Sequence, residues 1–165
     1  MHMYVVYGTV RGRAKRAAEA IADAAATRGV ATLVRSVSQA VPDDLVAADL
    51  LIAGCGTRVD TPFGGEPAQR LTSWIDGLPD LDGLPIGVFC TYTFFPHTFA
   101  DTAARTAGVL NRLERSFYQK GGKVVGSRSF HAREFTASST ELVGKVVDYT
   151  PVLNQAPAGE GRKWP

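Results

Sequence analysis

Cysteine is scarce in this chain of 165 residues, which contains only Cys55 and Cys90. Two widely spaced cysteines are too few for the disulfide framework of a small secreted protein, and they do not form the paired dipeptides of a zinc site. The sequence therefore favours a reducing compartment, and we expect a cytoplasmic protein. Both residues lie in or beside apolar strands, which favours buried and inert thiols, although their adjacent strand ends could bring the sulfurs together.

Long apolar segments and an excess of one charge are also absent. No apolar run approaches the roughly 18 residues of a membrane-spanning helix. The first residues enter an apolar strand directly, without the basic and apolar regions of a secretory leader. The formal net charge is +2, and a nucleic-acid-binding domain usually carries a stronger basic surface. We therefore expect neither a membrane nor a nucleic acid as a partner.

The composition is that of a folded globular protein. Hydrophobic residues make up 45% of the chain and charged residues 21%, which leaves enough apolar surface for a core of ordinary size. Length alone favours one domain. Residues 154–165 are rich in Pro, Gly, Ala and charge, and we expect a loose tail there after a single domain over residues 1–153.

Hydrophobic periodicity alternates between short apolar runs and amphipathic helical patterns along the chain. Gly29 and the Gly121-Gly122 pair follow two helical patterns as stop signals. Ser138 and Glu141 form a candidate capping box for the last helix. The predicted strands cover residues 4–7, 31–37, 49–54, 86–90 and 123–126, the last with a possible extension to 130, and the predicted helices cover 14–25, 68–78, 99–117 and 138–150.

This alternation predicts an α/β fold with three layers, in which helices cover both faces of a five-stranded parallel sheet. Five strands favour the order 2-1-3-4-5. Ligands of such sheets bind at the carboxyl ends of the strands, beside strand one. The candidate site therefore comprises the loops at residues 8–14, 54–65 and 91–98.

The first loop has features of an anion site. It leads from a buried strand into a helix whose free N–H groups favour a negative charge. Thr9 offers a hydroxyl, Gly12 allows close approach of the backbone, and Arg11, Arg13 and Lys15 add positive charge. These cations could instead be a solvated helix face. Their position at the helix start, where cations oppose the helix dipole, favours a bound phosphate.

At this loop the sequence VVYGTVRGRAKRAAEAIA resembles the opening of flavodoxins, in which Ser/Thr-x-Thr-Gly-x-Thr precedes the first helix. The resemblance implies a flavodoxin-like fold and an FMN cofactor whose phosphate lies against the loop. Aligned on Gly12, Thr9 matches the first hydroxyl, Arg11 replaces the second and Ala14 the third. Val10 and Arg13 complete the implied phosphate loop. Arginine would then hold the phosphate through charge-assisted hydrogen bonds.

The second loop, GCGTRVDTPFGGEP, is similar to the flavodoxin segment that runs beside the flavin ring. Thr57 aligns with a threonine of that segment, and Gly56 precedes it. Arg58 stands where an aromatic residue often stacks, and a guanidinium group can also lie on a ring face. An ordinary long loop is the other interpretation, although loops of this length tend to be functional.

The third loop, CTYTFFPHTF, crowds aromatic side chains into a segment expected near the surface. They could pack together beneath the loop, or they could form an apolar slot for a planar ring with threonine hydroxyls at its polar edge. Flavodoxin-like proteins place a second flavin contact here. The implied ring contacts are Thr91, Tyr92, Thr93, Phe94, Phe95 and His97.

The leading hypothesis is a small FMN-binding redox protein that transfers electrons or reduces a small molecule. Its partners would be the flavin and a redox partner protein, and a homodimer is possible. The alternative is a flavin-free scaffold that binds another anionic small molecule or a protein. No side chain is assigned as catalytic, and His97 and His131 do not suffice for a metal site. Whether the protein is an enzyme therefore stays open; as an enzyme it would be an FMN-dependent oxidoreductase.

Overall fold

The computed structural model describes residues 1–9, 11–57, 66–92, 99–131 and 135–149. A 3₁₀ helix at Pro42–Leu45 was not predicted. The strands are β1 (His2–Gly8), β2 (Ala31–Ser36), β3 (Leu50–Gly56), β4 (Pro85–Tyr92) and β5 (Lys123–His131), and the helices are α1 (Arg13–Ala26), α2 (Glu66–Asp76), α3 (Phe99–Gln119) and α4 (Phe135–Tyr149).

The five strands form one parallel sheet in the order β2-β1-β3-β4-β5, which confirms the predicted topology. Parallel neighbours need a crossover connection. Helices α1, α2 and α3 lie between β1 and β2, β3 and β4, and β4 and β5, whereas the connection from β2 to β3 contains the 3₁₀ helix at Pro42–Leu45. Within the described ranges, no helix is both long and apolar enough to cross a membrane.

Two apolar clusters, one on each face of the sheet, make up the core. Successive residues of a strand point to opposite faces. Accordingly, Met3 and Val5 of β1 pack with α1 and α4, whereas Tyr4 and Val6 pack with α2 and α3. All four of these side chains are completely buried. The continuous burial of β1, β3 and β4 is the pattern of central parallel strands.

Glycines end α1 and α3 as the sequence predicts. Gly29 has a φ of +69° and Gly121 a φ of +74°, the left-handed conformation that glycine adopts without a steric penalty. The N–H of Val30 donates to the carbonyl of Ala25, five residues earlier, and that of Gly122 donates to Phe117 in the same way. Both ends are therefore Schellman motifs, which satisfy helix carbonyls and turn the chain into the next strand.

The predicted start of the last helix is wrong. Helix α4 begins at Phe135, so Ser138 and Ser139 lie inside it and are buried rather than capping it. The Ser139 hydroxyl donates to the carbonyl of Phe135 at 2.6 Å. Phe135 packs edge-on against Phe130, with 6.4 Å between ring centroids. This packing of a partly buried aromatic ring extends the helix by about one turn and outweighs the local capping signal.

Candidate functional site

The carboxyl ends of the central strands meet at one edge of the sheet, as the topology requires. In register, Gly8 of β1 pairs with Cys55 of β3, and Gly56 of β3 pairs with Thr91 of β4. The N-terminus of α1 lies at the same edge because α1 follows β1 after a short loop. The described parts of the three predicted loops are thus brought together beside β1, at the switch point of the strand order.

A side chain closes the first loop. The N–H of Gly12 donates to Thr9 Oγ1 at 2.9 Å, and Gly12 adopts a φ of +78°. The first helical bond then runs from the N–H of Arg16 to the carbonyl of Gly12. The Thr9 oxygen therefore shapes the loop as an acceptor, and the proton of its hydroxyl is still available to a ligand.

The start of α1 carries positive charge without an acidic cap. No acidic residue lies in the first turn, and the N-cap Gly12 offers no side-chain oxygen. The N–H groups of Arg13, Ala14 and Lys15 have no acceptor within the helix, since the first turn never does. Lys15 lies 3.8 Å from Glu19 in an exposed ion pair. Half-buried Arg13 has no ion-pair partner among the residues that the structure describes.

Arg16 has a different role from the other cations. Its guanidinium carbon lies 5.6 Å from the centroid of the Phe135 ring. A cation above an aromatic face is attracted by the ring quadrupole, which ties the start of α1 to the start of α4. The sequence analysis missed Phe135, because nothing local indicates that the two helix starts are neighbours.

Thr57 fastens the end of β3 to the end of β4. Its N–H and its Oγ1 both donate to the carbonyl of Thr91, at 2.8 and 3.0 Å. The Thr57 hydroxyl proton is therefore occupied within the protein. This threonine positions the strand ends, and the flavin contact that the resemblance implies for it stays a prediction.

Thr91 presents a buried hydroxyl without a hydrogen-bond partner in the part of the chain that the structure describes. The residue is 1% exposed, and Oγ1 has no partner among the described residues. A Cβ added at Gly56 would lie 3.3 Å from this oxygen, so glycine leaves the space beside the hydroxyl open. Leaving a buried polar group unpaired costs on the order of 1–3 kcal/mol, so a bound group that pairs with it is favoured.

Tyr92 ends β4 next to His131, the last residue of β5. Their rings are 5.5 Å apart and inclined by 55°, and both side chains are half-buried. From the sequence, His131 was considered only as a metal ligand, whereas the register places it beside Tyr92, a predicted ring contact. The two rings form an aromatic surface at the carboxyl ends of β4 and β5.

Several predicted site residues lie outside the described part of the chain: Val10, Arg58, Thr93, Phe94, Phe95 and His97. The predicted tail at 154–165 lies outside it as well. Among the described residues, no group of three His, Cys, Asp or Glu side chains is arranged to hold a metal ion.

Comparisons with known proteins identify the architecture. No protein-family model matches the chain, and no curated protein matches it in sequence. Solved structures do match. A Streptococcus pneumonia TIGR4 flavodoxin is 15% identical in sequence, the match covers 90% of this chain and 99% of that chain, and the TM-score is 0.65. For a short-chain flavodoxin associated with a bacterial microcompartment the identity is 18%, the coverages are 91% and 99% and the TM-score is 0.68, and for a flavodoxin from Pseudomonas aeruginosa they are 20%, 93% and 99%, and 0.63.

Proposed function

We propose that this protein, whose fold is flavodoxin-like, binds FMN at the carboxyl edge of its sheet and acts as a redox protein. The observation that carries the proposal is the N-terminus of α1. It combines amides that have no acceptor within the helix, a left-handed Gly12 and a half-buried Arg13 that has no ion-pair partner among the described residues. Such an arrangement is stabilised by an anion, and in this fold the edge beside β1 is where ligands bind.

The phosphate of FMN fits the charge of the first loop. An anion at a helix N-terminus gains about 0.3–1 kcal/mol from the helix dipole, or about 2 kcal/mol when partly buried. Hydrogen bonds from a guanidinium to a phosphate are stronger than neutral ones. Arg11 and Arg13 would supply them, with the amides of the first turn of α1. The basic side chains then compensate for the hydroxyls that flavodoxin loops have at positions 11 and 14.

The flavin ring fits the other end of the site. The Thr91 hydroxyl, which has no described partner, and the space beside Gly56 offer a polar contact and room for a planar edge. Tyr92 and His131 offer an aromatic wall. The remaining predicted ring contacts are still predictions: Arg58, Thr93, Phe94, Phe95 and His97. Pockets of this kind combine apolar walls with a few placed polar groups.

When bound, FMN supplies the electron-transfer chemistry. The chain holds the phosphate, orients the ring and limits access of water. Electrons would pass to or from a redox partner protein or a small molecule. A cytoplasmic location agrees with two free cysteines and is part of this proposal.

The test is a titration of the purified protein with FMN and, in parallel, with riboflavin, which lacks the phosphate. Fluorescence quenching gives both dissociation constants. We expect micromolar or tighter binding of FMN and at least tenfold weaker binding of riboflavin. A protein that quenches neither flavin would contradict the proposal.

A double variant, Arg11→Ala with Arg13→Ala, locates the phosphate. FMN affinity should fall at least tenfold, whereas riboflavin affinity should stay the same. Arg28→Ala is the matched control, since Arg28 lies at the other end of α1 in an exposed pair with Asp148. Equal loss for both flavins would mean that the arginines do not contact the phosphate.

The second candidate is a flavin-free protein that binds another anionic ligand. It is favoured by the arginines in the first loop, which a flavodoxin-type loop does not need. Thermal unfolding with inorganic pyrophosphate distinguishes the two. A higher melting temperature that depends on Arg11 and Arg13, in a protein that binds no flavin, supports this candidate.

A further inference from the structure

The two cysteines of the chain are register partners. Cys55 of β3 and Cys90 of β4 lie directly opposite each other in the parallel ladder. Paired residues on neighbouring strands point to the same face, and neighbouring strands are about 4.8 Å apart. Disulfides span Cα separations of about 4.4–6.8 Å, so the backbone already has the required spacing.

Both thiols are free, and both side chains are completely buried. Thr57, one residue beyond Gly56, donates from its N–H and its hydroxyl to the carbonyl of Thr91, the residue that follows Cys90. The two cysteines therefore lie next to the hydrogen bonds that join the ends of β3 and β4.

We propose that Cys55 and Cys90 form a redox-active dithiol, which hydrogen peroxide oxidises to a disulfide across β3 and β4. The strand register and the burial of both free thiols carry this inference, which does not depend on flavin binding. The product would join the strands that lead into the second and third loops of the candidate site.

The chemistry has two steps. The thiolate of one cysteine attacks one peroxide oxygen, the O–O bond breaks, and hydroxide leaves and takes up the thiol proton as water. That cysteine is then a sulfenic acid. The sulfur of the second cysteine attacks the first sulfur, the S–O bond breaks, and a second water leaves with the proton of the second thiol. Two thiols and one peroxide thus give one disulfide and two waters.

Burial disfavours the reactive thiolate but does not disfavour the disulfide product. Contact with Cys55 and burial raise the pKa of Cys90 well above its ordinary value, while Thr57 opposes that increase. The thiolate is therefore scarce, which makes the first step slow. The disulfide carries no charge, so burial does not oppose the product.

The experiment uses flavin-free, folded protein treated with hydrogen peroxide, then denatured and alkylated with N-ethylmaleimide. Intact mass should show a monomer that is lighter by two hydrogens and takes up no alkyl group. Reduction with dithiothreitol should restore two alkylation sites. Two alkylatable thiols after peroxide treatment would overturn the proposal, as would a disulfide that appears only in urea or only between two chains.

Single variants test the sulfenic acid and identify the attacking sulfur. In Cys55→Ser and Cys90→Ser no second thiol is left to displace the hydroxyl, so at least one of the two variants should keep a sulfenic acid that reacts with dimedone. Neither variant should form a disulfide within the chain. Circular dichroism confirms that each variant is folded. A dimedone adduct in neither variant would contradict the proposal.

Discussion

The hydroxyl of Tyr4 donates a 2.9 Å hydrogen bond to Asp44 Oδ2 inside the protein. Tyr4 is completely buried and Asp44 is 8% exposed. Burial, followed by the bond to Asp44, raises the pKa of Tyr4 above its ordinary value of 10.0. The bond fastens the 3₁₀ helix at Pro42–Leu45 to the central strand β1, so it joins segments that are far apart in sequence.

Tyr4→Phe should therefore lower the free energy of unfolding by about 1–3 kcal/mol at neutral pH, because it leaves a buried carboxylate with one partner fewer. Arg35, 4.0 Å from the same oxygen, limits the loss. Urea unfolding measures the difference. A change within experimental error would show that the hydrogen bond contributes nothing net.

The same pair predicts a pH dependence. Above pH 10 the tyrosine ionises in the unfolded chain before it does so in the folded one, because its folded pKa is raised. The stability that Tyr4 provides is complete below that pH and falls by up to about 1.4 kcal/mol per pH unit above it. The advantage of wild type over Tyr4→Phe should shrink between pH 9 and pH 11. A constant difference would contradict the shift.

Gly54 is required where β3 passes β4. A Cβ at this position would overlap the carbonyl oxygen and the ring of Phe89, and Phe89 is itself fixed by stacking on Phe130 at 5.4 Å. We expect Gly54→Ala to destabilise the protein by at least about 3 kcal/mol, or to prevent folding, since overpacking a rigid core forces backbone shifts.

Gly108→Ala is the matched control. Gly108 is exposed in the middle of α3, and a Cβ there would meet nothing within 4 Å. Alanine should raise stability by about 0.5–1 kcal/mol through its helix propensity. Chemical denaturation of the two variants side by side gives changes of opposite sign. Similar losses at both positions would rule out the overlap as the cause at Gly54.

Substitutions at Gly12 test the left-handed backbone conformation of the first loop separately from side-chain packing. Its φ is +78°, and a Cβ would again meet nothing within 4 Å. Gly12→Ala should cost about 1–2 kcal/mol for the left-handed conformation alone. Gly12→Asn should cost less, since asparagine enters this region more readily. Thermal unfolding ranks the variants, and an order with alanine above asparagine would contradict this explanation.

Thr9 tests the hydrogen bond that closes the same loop. Thr9→Ala removes the acceptor for the Gly12 N–H and should cost about 0.5–1.5 kcal/mol, whereas Thr9→Ser keeps the oxygen and should retain most of the stability. Hydrogen exchange of the Gly12 amide is the direct readout. Unchanged protection in Thr9→Ala would show that the threonine oxygen does not hold the loop.

Much of the architecture followed from local patterns. Apolar runs of strand length alternate with helical periodicity, and Gly29 and Gly121 follow the helices that they end. The topology could then be inferred, because short crossovers between buried strands allow few arrangements. The start of α4 could not, because Phe135 packs against Phe130 and Arg16, and no local signal contains these contacts between elements.

The candidate site also combines features that local sequence predicts with features that depend on contacts between strands. The sequence by itself determined that a basic, glycine-containing loop enters α1, because charge and glycine spacing are local properties. Only the tertiary structure decided that Thr57 bonds to Thr91, that the Thr91 hydroxyl is buried without a described partner, and that Cys55 faces Cys90. These relationships depend on the register between strands, which side-chain packing across the whole sheet determines.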